Sequence, residues 1–355
     1  MTPPGPAEPF SATQDLFGWL TAQFRCYGGI FKANIDGFDT YVLSEPDYAQ
    51  HVLRTNWQNY PKGWANRRVT FLLGNGLMAS EGELWQAQRR MVQPLFHRAI
   101  ISPLYAAIIA ANAGLLERWK SAAKRREHVN VTRDVSRVTL EVVLTALFGD
   151  DYPALAPKFR LLSAETRRDL RFAQEFRALR TTVAELVAVR RNAGIKARDL
   201  LGLLMAARSK ESHVQMSDAQ LVSEVMTLVV AGHETTASVL NWAWYLLARH
   251  PCNDERLAAE IPAALPECDG LPNFGYVRQV LEEVMRLYPP GWLMTRKALA
   301  NDCIAGFVIP AGSEIYISPY IIQRHPAHWP DPDQFDPDRF APNRGEGRHP
   351  LAMLP

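Results

Sequence analysis

Ile30 to Ile35 and Phe38 to Leu43 are two short runs rich in β-branched and aromatic side chains, and Asp36-Gly37 between them suits a tight turn. Two such runs about a two-residue turn predict a β hairpin. Ser44 and Asp47 follow at N-cap and N3 spacing ahead of Tyr48, Val52 and Leu53, which predicts a helix starting at Ser44. From about Gly82 to Leu247 the apolar positions recur at helical spacing and β-branched alternation is scarce. Ser217-Asp218-Ala219-Gln220 has the pattern of a capping box. Helical spacing continues from it through Leu221, Val225, Leu228, Val229, Val239, Trp242, Leu246 and Leu247 to His250-Pro251. At 1.5 Å per residue this predicts a helix of roughly 45 Å. Strand character returns in Cys303 to Ile309 and Glu314 to Ser318, about a turn at Pro310-Ala311-Gly312. From His325 onward Pro and Asp predict irregular coil. No internal repeat or low-complexity linker interrupts the chain. The fold class is therefore mainly α with a small β part, and residues 1–355 are expected to form one domain.

Composition narrows the function classes. With 39 basic and 37 acidic residues the formal charge is +2, so no global field draws the chain to nucleic acid. The charge is uneven: Lys158 to Arg198 carries 11 basic and 4 acidic residues, which reads as a solvated helix pair. Ala99 to Leu116 is uncharged, but Ser102, Pro103, Asn112 and Gly114 interrupt it, and it is expected to be a buried helix rather than a membrane anchor. Met1 to Phe10 has neither the basic start nor the apolar run of a secretory signal. Cys26, Cys252, Cys268 and Cys303 lie far apart, which suits reduced thiols in a cytoplasmic monomer.

The long helix has a weak middle, Ala231-Gly232-His233-Glu234-Thr235-Thr236. A mid-helix glycine costs about 1 kcal/mol against alanine, and β-branched threonines add to that. Two readings stay open. Either the small residues admit a flat ligand, with Glu234 and Thr235 bonding to it, or Gly232 admits a neighbouring helix while Thr235 bonds back to the carbonyl one turn earlier. A zinc-protease H-E-x-x-H helix is excluded, because the second histidine position is Ala237. Glu283 and Arg286 share a helix face three residues apart. Glu165 and Arg168 have the same spacing, so that pattern gains meaning only from its neighbours: Leu287-Tyr288-Pro289-Pro290 and, later, Phe335-Asp336-Pro337-Asp338-Arg339-Phe340.

Taken in order, these segments resemble the cytochrome P450 family, whose members carry A-G-x-[DE]-T, E-x-x-R, a proline-led segment ending in arginine, and a P-x-R-F meander. Trp85 and Arg89 match an upstream W-x-x-x-R helix. The resemblance runs from about Tyr41 to the last residue and implies a haem (iron protoporphyrin IX) cofactor. It implies that Trp85, Arg89 and Arg296 donate to the haem propionates and that Ala231 and Gly232 lie against the porphyrin. Thr235 would then bond to bound dioxygen while Glu234 feeds protons through water. Glu283, Arg286 and Arg339 would form a buried network fixing the meander, and Trp292, Leu293 and Met294 would line a pocket for a hydrophobic substrate such as a fatty acid, terpenoid or polyketide.

The family holds iron through a cysteine thiolate in an F-x-x-G-x-R-x-C-x-G loop after the meander. The last residues here, Arg348 to Pro355, stand where that loop would begin, and none of the four cysteines sits in such a loop. No residue of the chain is therefore expected to ligate the metal. The fold is expected to be incomplete at its C-terminus and the fragment inactive, without the absorbance near about 450 nm that a thiolate-ligated haem gives with carbon monoxide. A partial sequence, a truncated gene and a split protein would each explain this. For the complete protein the resemblance implies insertion of one oxygen atom of O2 into an organic substrate. No G-x-G-x-x-G follows a strand, so electrons from NAD(P)H must come through a separate carrier, a ferredoxin or flavodoxin with its reductase. Arg89, Arg90, His97 and Arg98 are candidates to dock that carrier. Alternatives are a haem-thiolate isomerase or dehydratase, against which Glu234 and Thr235 argue, and a non-catalytic remnant that only binds a partner.

Overall fold

The computed structural model describes residues 1–11, 15–163, 170–195, 197–208, 215–264 and 274–354. Glu165 and Arg168, Cys268, and part of the basic stretch from Lys158 to Arg198 lie outside them. In chain order the helices are α1 (Leu16–Tyr27), α2 (Pro46–Gln50), α3 (Asn66–Leu73), α4 (Gly82–Val92), α5 (Arg98–Ile101), α6 (Tyr105–Lys124), α7 (Val131–Phe148), α8 (Tyr152–Phe159), α9 (Leu170–Asn192), α10 (Leu200–Ala206), α11 (Asp218–Arg249), α12 (Pro251–Ala264), α13 (Gly275–Leu287) and α14 (Pro319–Ile322). The strands are β1 (Ile30–Ile35), β2 (Phe38–Leu43), β3 (Met294–Lys297), β4 (Asp302–Ile304), β5 (Phe307–Ile309) and β6 (Glu314–Ile317). The chain divides into two compact units, one built from Met1–Arg67, Trp242–Ala263 and Phe274–Pro355, the other from Arg68–Asn241.

The first unit holds a four-stranded sheet in the order β1-β2-β6-β3. β1 and β2 pair antiparallel from Ile30↔Leu43 to Ile35↔Phe38 across the Asp36-Gly37 turn, both of whose residues have positive φ. β2 then pairs in parallel with β6, Thr40↔Glu314 to Leu43↔Ile317. Alternation sorts the side chains: Tyr41, Leu43, Ile315 and Ile317 enter one core, and Phe31, Ile35, Val42 and Tyr316 another. Cys303 to Ile309, expected as one strand, is a hairpin of β4 and β5, because Ala305 and Gly306 take positive φ of 52° and 81° and turn the chain back. Asp302, at the start of β4, accepts hydrogen bonds from His51 Nε2 (2.7 Å), Asn56 Nδ2 (2.9 Å), Tyr60 Oη (2.7 Å) and the Cys303 amide (2.7 Å). Burial opposes its ionisation, yet these bonds hold its carboxyl down at about 2.

One helix start differs from the expectation, and one helix was not anticipated. The N-cap of α2 is Glu45 rather than Ser44, with no side-chain capping bond; Pro46, its φ already suited to a first helical turn, takes N1. α1 was not anticipated; its N-cap is Asp15, whose carboxylate accepts from the amides of Phe17 and Gly18.

The second unit is helical around Leu144, Phe148, Phe159, Val225, Met226 and Val229. α11 runs 32 residues and opens on a reciprocal capping box: the Gln220 amide donates to Ser217 Oγ at 3.3 Å, and the Ser217 amide to Gln220 Oε1 at 3.0 Å. The expected buried helix over Ala99 to Leu116 is corrected. Of α6 only Ala111, Leu115 and Ala122 are buried, while Ile109 and Leu116 are more than half exposed. The stretch is rich in alanine, so one narrow stripe packs on Val138 of α7 and the rest of its apolar surface faces outward. By length and composition alone, Arg98–Lys124 would pass for a membrane span, with 11% of its apolar window buried.

Candidate functional site

In the first unit, the sequence-predicted charge group comes together. α13 lacks a side-chain cap of its own; instead Glu260 of α12 accepts from the amides of Tyr276 (2.7 Å) and Val277 (2.9 Å), which seats its first turn. Two turns on, Glu283 and Arg286 are both 0% exposed. Arg286 grips the carboxylate with two parallel bonds, Nε to Oε2 at 2.6 Å and Nη2 to Oε1 at 2.7 Å. Its remaining donors reach the coil: Nη1 to the carbonyls of Gln323 (2.9 Å) and Pro332 (2.6 Å), and Nη2 to that of Gln334 (3.1 Å). Arg339 pairs with Glu283 at 3.5 Å and donates to the carbonyls of Pro330 and Asp331. The Asp336 amide donates to Glu283 Oε1 at 3.0 Å.

Three further members of this group were not singled out in the sequence. Gln323 is fully buried, donates to the carbonyls of Met285 and Arg286, and accepts from the Leu354 amide at 2.9 Å. Trp329, also fully buried, donates to Ala352 O at 3.2 Å beneath the guanidiniums of Arg286 and Arg348, 5.0 and 4.1 Å from its ring centre. Arg348 donates to Arg339 O at 3.1 Å. Gln323, a polar residue closing the apolar run Ile321-Ile322, was the available signal.

Trp292, Leu293 and Met294 are half-buried in the same unit. Met294 and Arg296 belong to β3, paired with β6 from Met294↔Ile317 to Lys297↔Glu314. The Ser318 hydroxyl donates to Trp292 O at 2.8 Å. Arg296 is half-buried, and its Nη1 donates to Thr295 O at 2.8 Å.

In the second unit, Trp85 and Arg89 lie one turn apart on α4. Among the described residues neither the Trp85 indole nor the Arg89 guanidinium has a hydrogen-bond or ion-pair partner. Their helix is nevertheless pinned. Gln88, 0% exposed, is joined to the Ser80 hydroxyl and donates Nε2 to Asn75 O at 2.9 Å. The loop that carries those groups is pinned to α11 in turn, through the Leu77 amide on Glu224 Oε2 at 3.0 Å. A Cβ added at Gly76 would stand 2.5 Å from Thr227 Oγ1 and 2.6 Å from Ser223 O, so only glycine permits that approach.

At mid-α11 the structure contains both features of the helix-packing reading. A Cβ on Gly232 would stand 3.0 Å from Val143 Cγ2 of α7, so the glycine admits a neighbouring helix. Thr235 Oγ1 donates to Ala231 O at 2.5 Å. His233, on the α7 side, meets Ser136 Oγ at 2.8 Å. The Ala231 and Thr235 positions, four apart, share a face on which Thr235 is exposed and Ala231 and Glu234 are partly so.

A haem needs fixed donors for two anionic propionates, a helix face without large side chains, and a thiolate. Trp85 and Arg89 fit the first requirement, and Ala231 with Thr235 the second. Cys26, Cys252 and Cys303 are exposed free thiols, and none fits the third.

The family model for cytochrome P450 matches residues 10–162 and 152–355. Cyclooctatin synthase of Streptomyces melanosporofaciens is 31% identical over 352 residues, covering 92% of this chain and 76% of its own length. Pentalenene oxygenase of Streptomyces avermitilis is 30% identical, covering 91% and 76%. Protein LUTEIN DEFICIENT 5 of Arabidopsis thaliana is 28% identical, covering 94% of this chain, which spans 63% of that relative. Among solved structures, the retinoic acid-bound cyanobacterial CYP120A1 superposes with a TM-score of 0.85 over 100% of this chain and 86% of its own, at 23% identity, a likeness of fold alone. By sequence match over most of its length and by fold, the chain belongs to the cytochrome P450 family of haem-dependent monooxygenases.

Proposed function

We propose that this protein inserts one oxygen atom of O2 into a largely hydrocarbon small molecule of the terpenoid type, with electrons delivered from NAD(P)H by a separate ferredoxin or flavodoxin and its reductase. The names of the relatives support the substrate class: they include pentalenene oxygenase, cyclooctat-9-en-7-ol 5-monooxygenase and carotene epsilon-monooxygenase. The observation that carries the proposal is the pair of unpartnered donors, Trp85 and Arg89, on a helix whose own orientation is locked by Gln88. A charged guanidinium left without a carboxylate on an otherwise pinned helix suits an anionic ligand group, and a haem propionate is one.

Bound haem would supply dioxygen activation. The chain's residues would bind, orient and move protons. Trp85 and Arg89 donate to propionate oxygens, and Arg296, placed by the family motif, is a further donor. Ala231 offers a methyl-sized surface, and Gly232 serves it indirectly by letting α11 settle against Val143. The Thr235 hydroxyl, which rests on Ala231 O, would turn to give its proton toward the cofactor face while a lone pair on the same oxygen takes a replacement from Glu234 through water. Glu283, Arg286 and Arg339 hold the coil rather than touch the reaction. Trp292, Leu293 and Met294 supply apolar surface for substrate. The exposed Arg90 and Arg98 offer positive charge to an acidic carrier, with the exposed His97 beside them, so Arg90→Glu with Arg98→Glu should slow reduction and flatten its salt dependence.

The test has two readouts. Haem titration followed by quenching of tryptophan fluorescence should show Arg89→Ala binding roughly tenfold more weakly; equal affinity overturns the propionate assignment. With carrier, reductase, NADPH and isotopically heavy dioxygen, one labelled oxygen atom should enter each product molecule. Label-free product, as an isomerase would give, overturns the monooxygenase reading.

A further inference from the structure

Glu45, at the N-cap of α2, faces two histidines of the coil that follows α14. His325 Nε2 lies 3.0 Å from Glu45 Oε1, and His328 Nε2 lies 3.1 Å from Glu45 Oε2. The ligand atoms of the three residues fall within 4.8 Å of one another, and all three residues are half-buried. The convergence has a local cause. The amides of His328 and Trp329 both donate to His325 O at 3.0 Å, closing a single turn that brings positions i and i+3 to one side. Pro326 starts that turn and Pro330 follows it.

We propose that Glu45, His325 and His328 form a binding site for a divalent transition-metal ion of the zinc class. Two metal–ligand bonds of about 2.1 Å meeting at about 90–110° hold their donor atoms about 3.0–3.4 Å apart, and each imidazole Nε2 already lies 3.0 or 3.1 Å from one of the two Glu45 oxygens. Two imidazoles and one carboxylate select zinc, copper or nickel over magnesium and calcium, which favour all-oxygen sets. Three protein ligands leave a fourth tetrahedral position for water.

The site has a definite tautomeric consequence. His325 Nδ1 now accepts the Ala327 amide at 3.2 Å, so in the neutral ring the proton sits on Nε2 and points at Glu45. Coordination through Nε2 moves that proton to Nδ1 and releases the exposed Ala327 amide to water, a small loss against a metal–nitrogen bond. The ion would tie the start of α2 to the coil that leads into the segment held by Arg286 and Arg339. The site does not depend on haem, so it stands or falls apart from the proposed function.

A tag-free, chelator-stripped 355-residue chain is titrated with zinc sulfate by calorimetry, with the histidine ring nitrogens followed by NMR. One ion per chain should bind with a dissociation constant on the order of 10 μM or below. Glu45→Gln and His328→Ala should each weaken binding by about tenfold or more. His349→Ala removes a histidine paired with Asp47 at 3.2 Å, outside the triad, and should leave affinity unchanged. His325 should shift to the Nδ1-protonated tautomer on saturation. No saturable binding below about 1 mM, unchanged affinity in Glu45→Gln, or an unshifted His325 ring at saturation each overturns the site. Should His328→Ala fail to fold, Glu45→Gln and the tautomer readout decide the question.

Discussion

The Glu283 cluster and the α4 pair are both built around arginine, but they are satisfied in opposite ways. Arg286 is buried with its donors committed to a carboxylate and three carbonyls. Arg89 is exposed on a firmly anchored helix, with no partner among the described residues. A saturated guanidinium in a dry interior holds backbone in place, because each bond it drops leaves a desolvated carbonyl or carboxylate behind. An unsaturated one on a fixed support costs the fold nothing and remains available to a ligand. The contrast separates architectural charges from binding charges on physical grounds.

Replacing Arg286 by leucine should break this comparison most severely. Glu283 would lose its two-bond partner and keep only Arg339 at 3.5 Å and the Asp336 amide, while three carbonyls lose their donor, at about 3–5 kcal/mol of stability, read as a fall in the denaturant midpoint. Lysine should rescue little, since a point charge cannot reproduce the fork.

An intermediate effect should come from Asp302, a saturated charge that titrates. Its carboxyl is held at about 2 against an ordinary 3.8, so its contribution is full above the ordinary value and disappears as pH falls through about 2. Acid unfolding between about pH 4 and 2 should show a component on the order of 2 kcal/mol that Asp302→Asn lacks. Gln88→Leu should follow, at about 1–2 kcal/mol, because it takes the Nε2 donor away from the Asn75 carbonyl. Unlike an ordinary core change it should also weaken haem binding, by loosening the helix that presents Trp85 and Arg89. Smallest in stability are Arg89→Ala and Thr235→Ala, each expected within about 0.5 kcal/mol of the parent by thermal or denaturant unfolding. A large loss in Arg89→Ala would erase the distinction between the two arginines.

Much of the fold could be read from the chain, and where it could not the reasons are specific. β1 and β2 meet at the Asp36-Gly37 turn, and α11 starts on its capping box and stops before Pro251, since both signals are local. β3 was not anticipated as a strand, because Met294 to Lys297 is short and its strand character comes from pairing with β6. Ala305 hid a turn because alanine seldom takes positive φ. The apolar run in α6 pointed toward burial, yet whether such a run is covered depends on what packs against it.

The candidate site divides in the same way. Glu283, Arg286 and Arg339 were legible as a motif, whereas Gln323 and Trp329 emerged only when coil and α13 were brought together. Family membership, the strand and helix periods and the residue types able to bind a haem were already present in the order of side chains, since covalent spacing and local hydrogen bonding set them. Which arginine is saturated, which way Gly232 faces and that two histidines meet Glu45 across 280 residues were decided by tertiary structure. Burial and hydrogen-bond satisfaction belong to the packed molecule and have no value for a residue taken alone.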